Sequence, residues 1–341
     1  MKKPHEPHRS ALKTDKDSAF DKNFNGIVVT SDELYRLHDD ALRVICSPAA
    51  MVSSLFPGAY KALFHGRGLE FDEVRKYQSG DDYRMIDWRV TARTGQMHTK
   101  LFHEERERTL YLLIDGSESM HFGTRKQFKW VLAARIAAIF SWLAYEGGDR
   151  VAALVVGDSE RCRFQPPGMG EAALVRIFKL LAQELQPGNK EPRLRNKELQ
   201  PGKKEPVYSR LFDGIKYLQQ VAGKDALILI LSDFRQLNQE TRKQLGYLAH
   251  HFEVAAIKLY DPLEMRLPSS GRFPITNGKQ KMFLNTEQNE VVNSYQQRFN
   301  DEHQSLIKLF RQNGIRLHSM GTQQDLSDGL RNITMKQKIK S

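Results

Sequence analysis

Four short apolar runs divide the later part of the chain, and segments of a different pattern lie between them. The runs are "TLYLLI", "DRVAALVVG", "DALILILSD" and "FEVAAIKLYD". In the intervening segments apolar residues recur every three or four positions, over 125–146, 170–185, 211–221 and 238–250. Unbroken apolar runs are typical of strands buried on both faces, and the wider spacing is typical of helices. Their alternation predicts an α/β fold with a doubly wound, mainly parallel sheet.

The α/β domain is expected to extend over residues 108–335, because a helix over 287–313, the strand "GIRLHSM" and a short helix complete the pattern. Two insertions are expected within it. In "FPITNGKQKMFL" an Asn-Gly pair separates two β-prone runs, which predicts a hairpin over 268–286. "ELQPGNKEP" recurs as "ELQPGKKEP" within residues 184–206, and its Pro, Gly and Lys content predicts a flexible, duplicated linker.

The chain ahead of this domain has a different pattern. "SDELYRLHDDALRVI" predicts an amphipathic helix capped by Ser31 or Asp32. Short β-prone pieces then alternate with Gly-Asp and Thr-Gly turns up to residue 107, so we predict a helix and a small β-rich subdomain over 26–107. Residues 1–25 are polar without periodicity and predict a disordered tail. The helix positions expected to face the core are Leu34, Leu37, Leu42 and Ile45.

The net charge of +11 suggests nucleic-acid binding until it is located along the chain. The excess lies in residues 1–16, 188–210 and 331–341, which are predicted tails and the linker, and the remainder is balanced. A DNA-binding groove requires basic residues gathered on one folded face. The distribution therefore argues against nucleic acid as the main partner, and nonspecific binding through the basic tails stays an alternative.

Composition favours a globular protein of the cytoplasm. The chain is 40% hydrophobic and 27% charged, which is ordinary for globular proteins. The longest apolar stretch, over 131–145, is interrupted by Arg135 and is shorter than the roughly 20 residues that span a membrane, so it predicts a buried helix. Cys46 and Cys162 are far apart and lack CxxC spacing, which fits a reducing compartment.

The stretch "LLIDGSESM" places polar oxygens directly after a predicted strand. Asp115, Ser117 and Ser119 alternate there, and Asp233 ends the strand "LILILSD". Ligands in parallel sheets bind where strand carboxyl ends meet, so the two acids are expected to face one crevice. Carboxylates, hydroxyls and water are the ligands that Mg²⁺ prefers, and a further hydroxyl is available from Ser209. The sequence predicts a Mg²⁺ or Mn²⁺ site, with a simple Asp-Ser turn capping the next helix as the alternative.

Other chemistry has weaker support. A phosphoryl-accepting aspartate of the haloacid dehalogenase kind usually has a second acid two residues later, where this chain has Ser117. Neither a G-x-x-x-x-G-K-[ST] loop nor a G-x-S-x-G elbow occurs. His98, His103 and His121 are isolated, which favours surface or packing roles.

A dense group of charges precedes the α/β domain and has two interpretations. It could form a catalytic pocket or partner-binding surface, or a network of salt bridges and turns that supports the β-rich subdomain with Trp88 as packing anchor. The second interpretation is favoured, because no spacing identifies a nucleophile and its base. The group comprises Asp81, Asp82, Arg84, Asp87, Arg89 and Arg93.

Two stretches carry a family resemblance. "GRGLEFDEVRKYQSGDDYRMIDWRVTAR", followed by "KLFHEERE", resembles the signature of the bacterial domain of unknown function 58 family. "LLIDGSESM" with "LSDF" resembles the metal-ion-dependent adhesion site of von Willebrand factor A-type domains. The resemblance, over residues 60–335, implies an A-type domain with an added β-rich subdomain, encoded near MoxR-type AAA+ ATPases. It implies that Asp115, Ser117 and Ser119 are first-loop ligands, Ser209 takes the usual threonine position, and Asp233 is the third-loop acid.

The leading functional hypothesis is a non-enzymatic module that binds an acidic side chain of a protein partner through the cation. The resemblance implies a role as adaptor for a MoxR-type AAA+ ATPase in assembly or maturation of protein complexes. Metal-dependent hydrolysis at the same crevice is the enzymatic alternative, although the sequence nominates no general base.

Overall fold

The computed structural model describes residues 25–44, 55, 70–103, 108–157, 162–184, 210–235, 237–267, 271–276, 281–286 and 289–335. Residues 1–24 of the predicted tail, residues 185–206 of the predicted linker and Ser209 lie outside the described residues. Among the described residues, no helix combines the length and apolar character that a membrane crossing needs.

The described residues include ten strands, which form one six-stranded sheet and two two-stranded sheets. They are β1 (Glu70–Lys76), β2 (His98–His103), β3 (Thr109–Gly116), β4 (Arg150–Gly157), β5 (Arg163–Gly168), β6 (Leu227–Ser232), β7 (Glu253–Tyr260), β8 (Arg272–Thr276), β9 (Lys281–Asn285) and β10 (Arg316–Gly321).

Helices lie between most of the strands. They are α1 (Ser31–Arg36), α2 (His38–Val44), α3 (Trp88–Thr94), α4 (Lys129–Glu146), α5 (Glu171–Glu184), α6 (Arg210–Val221), α7 (Gln239–His251), α8 (Pro262–Met265), α9 (Asn289–Gln312) and α10 (Leu326–Met335).

The central sheet has six strands in the order β10-β7-β6-β3-β4-β5. Its first five strands are parallel, and β5 pairs antiparallel with β4 at one edge. The predicted α/β fold with a mainly parallel sheet is therefore confirmed. The chain leaves β3 toward β4 on one side and later returns as β6 on the other, which creates a topological switch point between β3 and β6.

Helices cover both faces of this sheet because the strands are apolar on both sides. On β3, Leu112 and Ile114 join one core cluster with α4, whereas Tyr111 and Leu113 join a second cluster with α6, α7 and α9. Helix α4 is buried from Lys129 through Ala144, as expected for a helix with apolar residues on every face, and Arg135 is buried within it. The first residue of this buried helix, Lys129, is a lysine whose side chain is buried as well.

The N-terminal helix differs from its prediction. Thr30, one residue earlier than expected, caps α1 by accepting the Glu33 N–H at 3.2 Å. The helix then breaks at Leu37 and resumes as α2, so the inward face shifts from Leu42 to Ala41. Leu42 is 43% exposed, and its predicted core position is wrong. Ile45 lies outside the described residues.

The β-rich subdomain is an antiparallel pair, β1 and β2, with a 3-10 helix and α3 between them. Its acids support turns, as the favoured interpretation predicts. Asp81 pairs with Arg75 at 2.6 Å, Asp82 caps the 3-10 helix, and Asp87 caps α3. Strands β8 and β9 also pair antiparallel, in the region where the Asn-Gly pattern predicts a hairpin.

Trp88 is not the packing anchor that the sequence suggested. Its side chain is 67% exposed, because α3 begins at this residue with its first turn facing solvent, and the buried side chain of this segment is Ile86. We therefore expect Trp88→Ala to change the free energy of unfolding by less than about 0.5 kcal/mol. Ile86→Ala is the matched control and should lower stability clearly in the same urea titration. Comparable losses in both variants would restore the anchor interpretation.

Candidate functional site

The carboxyl ends of β3 and β6 bring two aspartates to the switch point of the sheet. Asp115 lies near the end of β3, and Asp233 directly follows β6. The strands are neighbours in parallel register, with Ile114 opposite Leu231. Both aspartates are buried, at 7% and 4% exposure. The expected meeting of the two strand-end acids in one region is therefore seen.

Asp115 is a buried carboxylate held only by neutral donors. The Ser117 N–H donates to Oδ1 at 3.0 Å, and the Ser232 hydroxyl donates to Oδ2. Among the described residues, no lysine, arginine or histidine forms an ion pair with Asp115. Burial and the nearby charge of Asp233 raise the pKa of Asp115, although the serine hydrogen bonds oppose this effect. Among the described residues, the carboxyl group of Asp115 therefore lacks a direct counter-charge.

The two serines of the same loop lie beside this carboxylate. The hydroxyl oxygens of Ser117 and Ser119 are 3.2 Å apart, which is hydrogen-bond distance. Ser117 also precedes a short 3-10 helix over Glu118–Met120 but makes no side-chain cap. The Asp-Ser turn of the alternative interpretation is present, because the Ser117 N–H donates to Asp115 Oδ1, but Ser117 does not cap the 3-10 helix with its side chain.

Asp233 differs from Asp115 because it has a cationic partner. Lys129 donates to Asp233 Oδ2 with Nζ at 2.7 Å, and the Arg235 N–H donates to Oδ1 at 3.1 Å. The next residue, Phe234, has a left-handed backbone with φ of 55°, a conformation that is costly for a bulky side chain. Its N–H donates to the Ser232 hydroxyl at 2.9 Å, and its ring packs against Phe310. This tight turn fixes the direction of the Asp233 carboxylate.

Lys129 joins the site to the segment after β7. Its fully buried ammonium group also donates to Glu264 Oε1 at 2.6 Å. Glu264 lies in α8 and completes a capping box, in which its Oε2 accepts the Asp261 N–H at 3.0 Å. Arg235 lies 3.5 Å from the same Glu264 oxygen from a more exposed position. Three elements, α4, β6 and α8, are therefore connected by one ammonium group.

A further buried carboxylate, that of Asp261, holds the loop that leads from the serines to α4. Asp261 accepts hydrogen bonds from the Thr124 N–H at 2.9 Å and the Thr124 hydroxyl at 2.8 Å. It also accepts the Thr322 hydroxyl at 2.6 Å from the segment after β10. Every partner is a neutral donor, so Asp261 acts as a structural clamp at the same edge of the sheet.

The structure brings together most of the residues that the sequence nominated. Asp115, Ser117 and Ser119 form one hydrogen-bonded group, and Asp233 is close enough to raise the pKa of Asp115. The fifth nominated residue, Ser209, lies outside the described residues. His121, one of the isolated histidines, stacks against Trp130 with ring centroids 6.3 Å apart.

Sequence reasoning missed Lys129, Ser232, Asp261 and Glu264. For Lys129 a partial signal existed, because apolar residues surround it on most faces of the predicted helix, which favours burial. "DPLE" also carries the Asp-x-x-Glu spacing of a capping box. Neither pattern indicates which carboxylates the lysine contacts.

The donor chemistry fits a hard divalent cation. Asp115, Ser117, Ser119 and Asp233 offer carboxylate and hydroxyl oxygens, and the unpaired charge of Asp115 favours a cation. No group of three or more His, Cys, Asp or Glu side chains in the described ranges has the arrangement of a metal site. A site at the switch point would therefore depend on the serine hydroxyls and on water for its remaining ligands.

A protein-family profile matches most of the α/β domain and part of the chain before it. The profile of the family described as "Protein of unknown function DUF58" matches residues 73–305. Uncharacterized protein Rv1480 of Mycobacterium tuberculosis (strain ATCC 25618 / H37Rv) is 31% identical over 214 residues, covering 63% of this chain and 62% of that protein. Uncharacterized protein YeaD of Bacillus subtilis (strain 168) is 43% identical over 49 residues, 14% of this chain and 12% of that protein. The match to the mycobacterial relative thus spans less than two thirds of its length.

Two solved structures show a distant similarity. The conserved hypothetical protein BatB from Bacteroides thetaiotaomicron has a TM-score of 0.34 at 12% identity, covering 68% of this chain and 99% of that one. An aerotolerance-related membrane protein from Bacteroides fragilis NCTC 9343 has a TM-score of 0.36 at 12% identity, covering 68% and 98%. These TM-scores are too low to assign a shared fold.

Proposed function

This chain belongs to the DUF58 family of proteins of unknown function, and we propose that it is a non-enzymatic module that binds a protein partner through a divalent cation. One observation carries the proposal. Among the residues that the structure describes, the buried carboxylate of Asp115 has only neutral hydrogen-bond donors, and it lies near a second acid at the switch point of the sheet. A cation there would relieve the repulsion between the two acids.

The residues that would hold the cation are Asp115, Ser117, Ser119 and Asp233, with Ser209 as a further hydroxyl ligand. Their hard oxygens suit Mg²⁺ or Mn²⁺, and water completes the coordination. When bound, the ion supplies a positive charge that accepts an acidic side chain, which two bare aspartates would repel. Within the proposal, we assign these residues to a von Willebrand A-type adhesion site and the domain to that type.

The proposed identity of the protein partner rests on the family resemblance. We assign the partner as a MoxR-type AAA+ ATPase, for which this protein is an adaptor during assembly or maturation of protein complexes in the cytoplasm. The acidic side chain that contacts the cation belongs to the ATPase or to its client. Binding is therefore expected to require both the ion and an intact Asp115.

Co-precipitation tests this function. The tagged full chain and a purified MoxR-type ATPase from the same genome should associate in Mg²⁺, and EDTA or Asp115→Ala should abolish the association. Ser319→Ala is a matched control, because Ser319 is exposed on β10 away from the aspartates. Association that ignores both chelation and Asp115→Ala would contradict the proposal.

The enzymatic alternative makes a different prediction. A hydrolase would turn over phosphoester or peptide substrates in Mg²⁺ or Mn²⁺, and Asp233→Ala would abolish that turnover. Such a result would replace the binding module with an enzyme at the same crevice.

A further inference from the structure

Lys129 places an ammonium group directly beside one of the proposed cation ligands. Its Nζ lies 2.7 Å from Asp233 Oδ2 and 2.6 Å from Glu264 Oε1, and the side chain is fully buried. Solvent and salt screen a buried ammonium group much less than an exposed one, so its charge acts more strongly on its neighbours. Asp115, the other acid of the site, has no such partner among the described residues.

This unequal pairing has a consequence for metal binding. A divalent cation that uses Asp233 has to share that carboxylate with the ammonium group of Lys129. Like charges that share a ligand repel, and the metal-free state already has Asp233 neutralised. Both effects make binding of the ion less favourable and so lower the affinity of the site for it.

We propose that Lys129 is a built-in competitor of the divalent cation, which weakens metal binding at Asp233 and sets the ion concentration at which the site fills. The inference rests on the proposed function, because it concerns the same site. Lys129 is a positioning residue that acts on the ion through Asp233. Glu264 holds the ammonium group in place from α8, so the strength of the competition depends on both residues.

Isothermal titration of the full chain with MnCl₂ and with MgCl₂ measures the effect. Lys129→Met should tighten the dissociation constant for Mn²⁺ by about tenfold or more, because the repulsion is removed and Asp233 becomes a bare carboxylate. A purely structural role would give the opposite sign, since a damaged site binds metal more weakly. Lys126→Met is the matched control: this lysine pairs with Asp325 outside the site, and its loss should leave the constant unchanged.

Lys129→Met could fold poorly in the absence of metal, so a second variant accompanies it. Lys129→Met/Glu264→Gln removes one positive and one negative charge and preserves the net charge around the site. Tighter binding in this double variant than in wild type would assign the effect to the ammonium group and not to total charge. Unchanged or weaker binding in both folded variants would overturn the inference.

The outcomes separate this inference from the proposed function. If wild type binds Mn²⁺ through Asp115 but neither Lys129 variant binds it more tightly, the competitor role fails and the binding module stands. If wild type binds neither ion while the Lys129 variants do, Lys129 prevents metal binding altogether. The competitor role is then supported, and the proposed metal-dependent function is rejected. If none of the proteins binds metal, both are rejected.

Discussion

Lys129→Met is expected to lower the free energy of unfolding of the metal-free protein by about 3 to 5 kcal/mol. The substitution preserves most of the side-chain volume but removes the ammonium group that neutralises Asp233 at 2.7 Å. Glu264 retains Arg235 at 3.5 Å, whereas Asp233 loses its directly bonded cation and keeps only the more distant charge of Lys258. Removing one partner of a buried ion pair is costly because the remaining charge cannot regain its hydration.

Urea denaturation in EDTA measures this loss, with Lys126→Met as reference. Lys126 is 27% exposed and its partner Asp325 is 64% exposed, so breaking that pair should cost about 0 to 1 kcal/mol. A loss below about 1 kcal/mol for Lys129→Met would mean that water or a rearranged side chain compensates Asp233, and the electrostatic picture of the site would be wrong.

Asp115→Asn is expected to act in opposite directions with and without metal. In EDTA the variant should be more stable than wild type near neutral pH, because burial and Asp233 raise the pKa of Asp115 and make its ionised form unfavourable. In Mg²⁺ at a hundredfold excess over the dissociation constant, wild type should gain about 2.7 kcal/mol and the variant almost nothing. Thermal melts of both proteins, with and without the ion, test whether metal reverses their order of stability. A wild type that melts identically in EDTA, Mg²⁺ and Mn²⁺ would contradict the expected site.

The pH dependence follows from the direction of the shift in the pKa of Asp115. The pKa of Asp115 is higher in the folded protein than in the unfolded chain. Its contribution to the free energy of unfolding is therefore complete at a pH below the pKa of the unfolded chain, and it is lost as the pH rises through the pKa of the folded protein. The advantage of Asp115→Asn in EDTA should therefore vanish at low pH and grow as pH rises. The response of wild type to metal should also grow as pH rises, because the cation binds the ionised carboxylate. Melts at a series of pH values, in matched buffers, test both trends.

The sequence predicts the sheet well because its strands carry strong, local patterns. Buried strands such as "LILILS" have apolar residues on both faces, and helices between them force parallel connections. Boundaries are less accurate where one residue decides them. The helix is capped by Thr30 and not by the predicted Ser31, and its break at Leu37 leaves Leu42 facing solvent. Caps and helix breaks depend on contacts that a periodic pattern does not contain.

The site was predictable only where its residues are close to strand ends. Asp115 and Asp233 could be nominated because the ends of parallel strands share one edge of a sheet. Lys129 and Glu264 could not be assigned to Asp233, because these residues are distant in sequence and meet only through packing of α4 and α8. The left-handed backbone of Phe234 was also unforeseen, since aromatic residues rarely adopt it and no glycine marks the turn.

The clamp at Asp261 has a consequence for the order in which the protein assembles. Its hydrogen bonds join residues that are 137 and 61 positions apart, from Thr124 ahead of α4 to Thr322 after β10. Contacts of such long range form only after the intervening chain has lost most of its freedom, so they form late in folding. The loop that carries Ser117 and Ser119 toward α4 is therefore expected to be fastened in one of the last folding steps. A partly synthesised chain that still lacks β10 would present the serine loop without its full clamp, so we expect recognition through the site to begin only after β10 has been added.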